Sequence, residues 1–450
     1  MKSTSNFDGT SSIFRLTPTP SLELECMYIE SRHRVFREFT NASDGVFIVG
    51  EESGCNIGLL NKSNGERLSV SVSGEGDSHY NNEFHDLCKQ FPLDVPWFRV
   101  KYDNDFNRHD YSPDGGLSII KDHISRLPSV VSWRIIVSTL RRGIATCMFD
   151  NKWRHDLQVR NRIHVEIDTV NGGNGEDAIS IDSLTMLLSS SVVSPLLNRA
   201  FRRANMSVAK IDAPTGKMPV VFSEGSSGVL FHELVGHLLE SDIVMSGGTL
   251  LSSRMGEQVC VDSLTITDDP TLVGYWGSFG IDDEGRTSVP TPLIQNGKIC
   301  GVLSNTELQG TVKNATYEGN SGRRSDYNSP PLPRMSNLMV DAGSDNLSNV
   351  QVEIKYGIYC DGITRGSVNP KTGQFTLNLT SGRLIRDGHL AEPISNAYIL
   401  GNVLDTLSNI KFVCNDLDDV QTVCGKSGQQ VLVGMVSPSV MISDVLVVGR

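Results

Sequence analysis

The amino-acid sequence predicts an α+β protein of two domains: a smaller N-terminal α+β domain, then a β-rich C-terminal domain that carries a His-Glu-x-x-x-His helix. Two observations support this prediction. The chain has 450 residues, more than a single hydrophobic core normally serves. A short turn-rich segment at 212–216 separates two regions of different pattern. We therefore place the domains at 21–213 and 214–450.

The N-terminal region begins with a Ser/Thr-rich stretch at 1–20, which is expected to be a flexible tail. Strands are then expected at 22–36, 45–60 and 160–170, and in the last of these apolar residues alternate with polar ones as in a half-buried strand. Helical patterns are expected in two places, as two helices within 117–142 that separate near Pro128, and as one helix at 178–205 that is broken near Pro195.

The C-terminal domain is expected to consist mainly of strands. Apolar runs between Gly, Asn and Asp turns predict them, at 291–295, 301–304, 350–358, 374–379 and 389–393. The most apolar stretch, 431–448, contains Pro438 and Asp444. We therefore interpret it as two buried strands rather than a membrane span. A helix is expected near 401–408, in addition to the helix of the histidine motif.

Composition excludes several functions. A net charge of −12 argues against electrostatic binding of nucleic acid. Nine cysteines without a CxxC pair exclude a zinc ribbon and suit a reducing cytosol. The first 30 residues lack the pattern of a signal peptide, so we expect a cytoplasmic protein without membrane contact. No serine-hydrolase elbow and no phosphate-binding loop is present.

The most informative motif is His232-Glu233-Leu234-Val235-Gly236-His237. Two imidazoles can hold a metal ion, and the adjacent carboxylate can accept a proton from an attacking water. The histidines are at i and i+5, not at the i and i+4 of the common zinc-protease motif. On a regular helix the rings would diverge by roughly 140°. One ion can bind both only if the helix ends early or contains a π-bulge, for which Gly236 is the least costly position.

The same motif is also compatible with a helix whose polar groups are satisfied without a metal. Its neighbours are apolar on nearly all sides, which predicts burial. A buried Glu233 would need a compensating partner, and a divalent cation is a simple one. The spacing alone leaves both alternatives open.

A zinc site needs at least a third protein ligand. Cys424 lies in a short polar segment with glycines. We interpret this segment as a turn, in which Lys426 favours the thiolate form. Cys300 and Cys360 lie in strand-like runs and are interpreted as core residues.

Further polar residues have two interpretations each. Glu240 and Asp242 either orient an imidazole from behind or form the polar end of the helix. The acidic run at 282–284 resembles a metal-binding sequence, but a hydrogen-bonded turn at a domain or subunit contact is favoured. Arg323 and Arg324 can grip a substrate carboxylate or carbonyl, but a structural salt bridge is the favoured role.

Taken together, the motifs resemble those of the TldD/PmbA family of metallopeptidases, once described as modulators of DNA gyrase, and specifically its TldD-type, metal-binding subunit. The matching segments come in the family's order and cover essentially residues 215–450; they are 219–228, 232–242, 280–285, 319–324, 333–337, 399–402 and 424–429. Residues 1–214 match only loosely.

The resemblance implies that His232, His237 and Cys424 bind one Zn²⁺ per chain and that Glu233 is the general base. It implies a zinc-dependent peptidase for extended or unfolded peptides, working as a homodimer or with a PmbA/TldE-type partner subunit. The segment at 356–365 departs from many relatives and leaves substrate preference open. The alternative is a non-catalytic scaffold that binds peptides or a partner around a structural metal, which would have four protein ligands.

Overall fold

A computed structural model describes residues 22–40, 44–61, 66–74, 114–147, 152–181, 189–208, 210–312, 315 and 320–450. The expected tail at 1–20 lies outside the described residues. In the described part of the chain, no helix combines the length and the apolar character needed to cross a membrane.

The N-terminal half is built on a six-stranded antiparallel sheet and two helices. In chain order these elements are β1 (Leu22–Thr40), β2 (Asp44–Asn61), β3 (Glu66–Gly74), α1 (Asp114–Ser125), β4 (Val130–Cys147), β5 (Trp153–Thr169), β6 (Asn174–Ile181) and α2 (Ser190–Val208). The strand order is β3-β2-β1-β4-β5-β6. Alternate side chains of β4 and β5, such as Ile135 and Ile163, pack with Leu196 of α2 in one apolar cluster.

Two helix predictions in this half are wrong. Residues 130–147 form β4, not a second helix, because pairing with β1 and β5 buries alternate side chains of this run. Residues 178–181 belong to β6, and the helix begins only at Ser190. The helix continues through Pro195, although proline cannot donate the backbone hydrogen bond. The adjacent Leu196 and Leu197 are fully buried, and their packing offsets this loss. The strand predictions at 22–36, 45–60 and 160–170 are confirmed.

The C-terminal half contains fifteen strands and four short α-helices among the described residues. In chain order they are β7 (Gly216–Phe222), α3 (Ser226–Phe231), α4 (Ser241–Met245), β8 (Ile266–Asp268), β9 (Thr291–Gln295), β10 (Lys298–Ile299), β11 (Gly322–Arg323), β12 (Leu332–Pro333), β13 (Asn337–Val340), α5 (Leu347–Val352), β14 (Tyr356–Val368), β15 (Gln374–Arg386), β16 (His389–Pro393), β17 (Ala397–Asn402), α6 (Val403–Ser408), β18 (Ile410–Val413), β19 (Asp418–Lys426), β20 (Gln429–Ser437) and β21 (Val440–Gly449).

Five of these strands form a closed ring, in the order β14-β7-β21-β17-β15, with β15 pairing back to β14. A second sheet has the order β10-β9-β8-β13-β20-β19. One large apolar cluster includes Phe222 of β7, Leu234 of the histidine motif and Val433 of β20. The histidine motif is therefore packed into the core between the ring and the second sheet.

The strand predictions in this half are mostly confirmed. The exceptions are residues 350–358 and 301–304. Asn346 caps α5, and its Oδ1 accepts a hydrogen bond from the backbone N–H of Ser348 at 3.0 Å. Residues up to Val352 are therefore helical, and the strand begins at Tyr356. Residues 301–304 form no strand, although Leu303 makes an isolated β-bridge with Glu240.

Buried ionic contacts connect the two halves. The guanidinium of Arg142, on β4, lies 2.9 Å from the Asp283 carboxylate, and Asp283 also accepts a hydrogen bond from the backbone N–H of Arg324 at 2.8 Å. The acidic run at 282–284 is thus a hydrogen-bonded turn, as favoured. The division of the chain at residue 213 into two domains stays a prediction.

Candidate metal centre

The histidine motif lies in a helical segment of irregular geometry. Helix α3 ends at Phe231, and residues His232–Gly236 form a π-helical turn in which the N–H of His237 donates to the carbonyl of His232. A 3₁₀ turn follows at His237–Leu239. The extra residue in the turn brings the two rings together, with centroids 4.8 Å apart and planes at 84°. This is the irregularity that the i, i+5 spacing predicts.

Gly236 is required for a different reason from the one expected. Its φ of −55° and ψ of −59° are ordinary for a right-handed helix, so conformational freedom is not needed there. A Cβ at this position would lie 1.9 Å from Sδ of Met335, which is itself buried. The absence of a side chain lets Met335 pack directly against the π-turn.

Cys424 lies on β19, an edge strand of the second sheet, and pairs with Val431 of β20. The expectation that it lies in a turn is therefore wrong. Strand alternation turns Cys424 inward, with 4% of its surface exposed, whereas the neighbouring Val423 is 47% exposed. Its Sγ lies 3.2 Å from Nε2 of His232 and 3.4 Å from Nε2 of His237.

The two imidazole nitrogens and the thiol sulfur are suitable donors for a metal ion. All three atoms lie within 4.8 Å of one another. Tetrahedral zinc, with metal–ligand bonds near 2.0–2.3 Å, requires nitrogen–sulfur separations of about 3.5 Å, close to the 3.2 and 3.4 Å observed. Nε2 is the nitrogen of His232 that faces the sulfur. Nδ1 of the same ring is buried and has no hydrogen-bond partner in the structure.

Electrostatics favours the thiolate form of Cys424. Burial alone would raise the pKa of this thiol, but His232 and His237, through charge and hydrogen bonds, hold it well below its usual range. Burial likewise lowers the pKa of His237, but Glu240 and Cys424 outweigh it and hold this pKa well above the ordinary value. A thiolate is the form of cysteine that binds metals, so the charge state of Cys424 suits the donor role, whereas His237 must give up its proton when a metal binds.

Glu240 lies behind His237, as one of its two interpretations predicts. Its Oε2 is 3.0 Å from Nδ1 of His237 and 2.9 Å from Nζ of Lys426, and the side chain is completely buried. Burial raises the pKa of Glu240, but His237, Lys426 and Arg334 lower it to about 2. The carboxylate therefore fixes the ring so that Nε2 faces Cys424.

Asp242 and Lys426 form an ion pair of 2.6 Å. Lys426 also donates to the carbonyl of Pro333 at 3.0 Å. The expectation that Lys426 stabilises the thiolate of Cys424 is wrong, because its ammonium group is bound by Glu240 and Asp242 instead. Asp242 thus contacts the centre only through Lys426.

Glu233 is partly buried, not enclosed in the core as expected. Its side chain lies against the backbone of Gly366 on β14, where an added Cβ would be 2.4 Å from Cγ and 2.7 Å from Cδ of Glu233. The argument that a metal must compensate a buried Glu233 therefore does not apply.

Arg323 and Arg324 are not brought to the histidines. Arg323 is buried and donates to the carbonyls of Met335 and Leu432, the latter at 2.7 Å, and burial lowers its pKa to about 10. Arg324 stacks on Tyr28 of β1, with its guanidinium carbon 4.1 Å from the ring centroid. Both side chains have structural contacts, although Arg323 binds carbonyls instead of the expected salt-bridge partner.

Arg334 was not identified from the sequence as a residue of the centre. Its side chain is completely buried, Nη2 donates to the carbonyl of Cys424 at 2.7 Å, and Nε lies 4.0 Å from Oε1 of Glu240. The one signal in the sequence is that Arg334 is the single charged residue within 330–337. If such a run is buried, its cation needs nearby anions or carbonyls.

Comparison with known proteins gives a consistent result. Residues 215–449 match the family model of the PmbA/TldA metallopeptidase C-terminal domain. A TldD homologue from Haemophilus influenzae, named a metalloprotease, is 35% identical over 252 residues, which are 56% of this chain and 52% of that protein. A metalloprotease from Methanothermobacter thermautotrophicus is 34% identical over 236 residues, which are 52% of this chain and 51% of that protein. The chain thus spans about half the length of the curated relatives it matches.

The fold is shared over a longer stretch. The crystal structure of TldE from Thermococcus kodakarensis superposes with a TM-score of 0.68, covering 94% of this chain and 97% of that one at 18% identity. This similarity concerns the fold alone. It extends into the N-terminal half, which the family model does not match.

Proposed function

The chain belongs to the PmbA/TldD metallopeptidase family, and we propose that it is a zinc-dependent peptidase that cleaves extended or unfolded peptides. The observation that carries this proposal is the gathering of three metal donors, His232, His237 and Cys424, beside a partly exposed carboxylate at Glu233. That combination is what metal-assisted hydrolysis needs.

In this proposal each residue has a separate role. His232, His237 and Cys424 hold the metal, and Glu240 orients His237. When bound, Zn²⁺ supplies positive charge that polarises a peptide carbonyl and makes water more acidic. Glu233 accepts the proton of the attacking water and delivers it to the leaving amine, as a general base and acid does. Arg323 and Arg324 have no substrate role in this account, because both side chains are buried, Arg323 donating to the carbonyl of Leu432 and Arg324 stacking on Tyr28.

An extended substrate can be bound by strand addition, in which a peptide hydrogen-bonds to a free sheet edge. Strand β14 pairs with β7 only at residues 358–360. Beyond them, the described residues 362–368 of β14 pair with β15 alone, and Gly366 within this stretch contacts Glu233. A peptide added to the second edge of β14 would lie beside Glu233 and would be held mainly by its backbone.

The non-catalytic scaffold is not favoured. Structural zinc sites have four protein ligands, whereas three donors gather here among the residues that the structure describes. The proposal includes a partner, either a second copy of the chain or a PmbA/TldE-type subunit. The cytoplasmic location also remains part of the proposal.

The proposal is tested by metal content and peptide cleavage on the same preparation. The purified chain, alone and mixed with a PmbA/TldE-type protein, should contain about one zinc per chain and cleave an unstructured peptide. Chelation should abolish cleavage, and added Zn²⁺ should restore it. Cleavage that persists after complete removal of metal would contradict the proposal, as would a metal-loaded preparation that cleaves nothing with either partner.

A further inference from the structure

Among the residues that the structure describes, Arg334 is the largest side chain that is completely buried. Burying a guanidinium is costly unless the charge and the donors are compensated. The structure gives this group one hydrogen bond, from Nη2 to the carbonyl of Cys424 at 2.7 Å, and one anionic neighbour, Glu240, at 4.0 Å from Nε. Nε and Nη1 have no hydrogen-bond partner in the structure. Packing alone does not compensate the burial of a guanidinium with two unpaired nitrogens.

Its two contacts lead to different metal donors. The carbonyl of Cys424 belongs to the residue that supplies the sulfur. Glu240 holds Nδ1 of His237 at 3.0 Å, and so fixes the ring that supplies the second nitrogen. Cys424 is on an edge strand, whereas His237 follows the π-turn. In the described part of the chain, Arg334 is the residue that contacts both the Cys424 backbone and the carboxylate behind His237.

The charges around this group balance. Arg334 and Lys426 supply two positive charges, and Glu240 and Asp242 supply two negative ones. Oε2 of Glu240 lies 2.9 Å from Nζ of Lys426 as well as 3.0 Å from Nδ1 of His237. A carboxylate that is fixed by a contact of its own keeps His237 in place before the metal binds, which reduces the ordering that binding would otherwise require.

We infer that Arg334 is a positioning residue that preorganises the metal centre, by a hydrogen bond to the Cys424 carbonyl and by the positive charge that it places 4.0 Å from the Glu240 carboxylate. This inference rests on the proposed function. It predicts that loss of Arg334 weakens metal binding and changes the geometry of the cysteine ligand, although Arg334 itself touches no metal donor atom. Loss of an orienting partner behind a metal ligand typically costs about 10–100-fold in metal affinity or activity.

The test compares Arg334→Met and Arg334→Lys with the unaltered chain. Zn²⁺ affinity is measured by competition with a chelator, and the thiolate-to-cobalt absorption band is recorded after Co²⁺ loading. Arg334→Met should bind Zn²⁺ about 10–100-fold more weakly and shift the cobalt band. Arg334→Lys retains the charge next to Glu240 and should recover part of the affinity.

The matched control is Arg160→Met. Arg160 is also buried and also donates to backbone carbonyls, at Ser278 and Trp276, but it contacts no residue of the centre. The Arg160→Met variant should keep the cobalt band of the unaltered chain. If Arg334→Met does not fold, Arg334→Lys decides the question. Folded Arg334 variants with unaltered Zn²⁺ affinity and an unaltered band would overturn this inference alone. An unaltered chain that binds no metal would instead overturn the proposed function, and this inference with it.

Discussion

Nε2 of His232 lies 3.2 Å from Sγ of Cys424, although the two residues are 192 positions apart in the chain. The contact joins the π-turn, at the centre of the C-terminal half, to an edge strand near its end. The backbone hydrogen bonds of the π-turn and of β19 do not by themselves require this contact between the two side chains. The metal ion proposed above would account for the contact, because thiolate and imidazole are both typical zinc ligands.

The first prediction concerns the sulfur donor. Cys424→Ala removes one of three donors and should lower the metal content of the purified chain strongly. Cys300→Ala is the control, because that thiol lies near the carbonyl of Pro292 and away from the histidines. The metal content of both variants is measured by elemental analysis after extensive dialysis. Equal metal retention in the two variants would remove Cys424 from the site.

The second prediction concerns Glu240. Glu240→Gln preserves the shape of the side chain but removes the negative charge that holds His237 and Lys426. Metal affinity should fall by about 10–100-fold. Asp242→Asn is the control, because Asp242 is partly exposed and reaches the centre only through Lys426. If the asparagine variant loses as much affinity as the glutamine variant, the effect is one of total charge rather than of the orientation of His237.

The third prediction concerns the π-turn. Gly236→Ala places a Cβ against Met335 and should lower the free energy of unfolding by about 1–3 kcal/mol, as overpacking of a core does. Gly425→Ala, next to Cys424, is the control, because a Cβ there meets no atom within 4 Å. Chemical denaturation of the metal-free variants measures both effects. A Gly236→Ala variant as stable as the unaltered chain would show that Met335 moves aside without cost.

The fourth prediction separates positioning of Glu233 from metal binding. Gly366→Ala would push a methyl group into the Glu233 side chain. Metal content should be retained, whereas kcat should fall by about 10²-fold, the size of effect expected when a reacting group is misplaced by about 1 Å. Gly362→Ala, on the same strand, is the control, because the nearest atom that its Cβ would meet is Cβ of Ser381, at 3.2 Å. Similar kcat values for the two variants would argue against a role for the Gly366 contact.

The sequence predicted some features of the centre for sound physical reasons. The i, i+5 spacing of His232 and His237 is compatible with one shared ion in few helical geometries, and the π-turn is one of them. Cys424 was chosen for its polar, glycine-bearing segment, and the family resemblance then supported the choice. Gly425 and Gly428 suggested that this segment is a turn, whereas pairing with β20 extends the strand to Lys426 and confines the turn to Ser427 and Gly428.

Other features depend on contacts that local sequence does not contain. Residues 130–147 were assigned in part to a helix, and their pairing partners on β1 lie about a hundred positions earlier in the chain. Such pairings override local propensity. Arg334 and Gly366 were missed for the same reason. Their importance comes from Glu240, Cys424 and Glu233, which only the folded chain brings next to them.

The most direct test of the account is peptide cleavage by Glu233→Gln, measured together with its metal content. Glutamine keeps the shape of the side chain but cannot accept a proton at neutral pH. The variant should fold, retain its metal and lose about 10²–10⁴-fold in hydrolysis of an unstructured peptide, in the presence of whichever partner supports activity. Cleavage at nearly the unaltered rate by a metal-loaded Glu233→Gln variant would contradict the assignment of Glu233 as the general base.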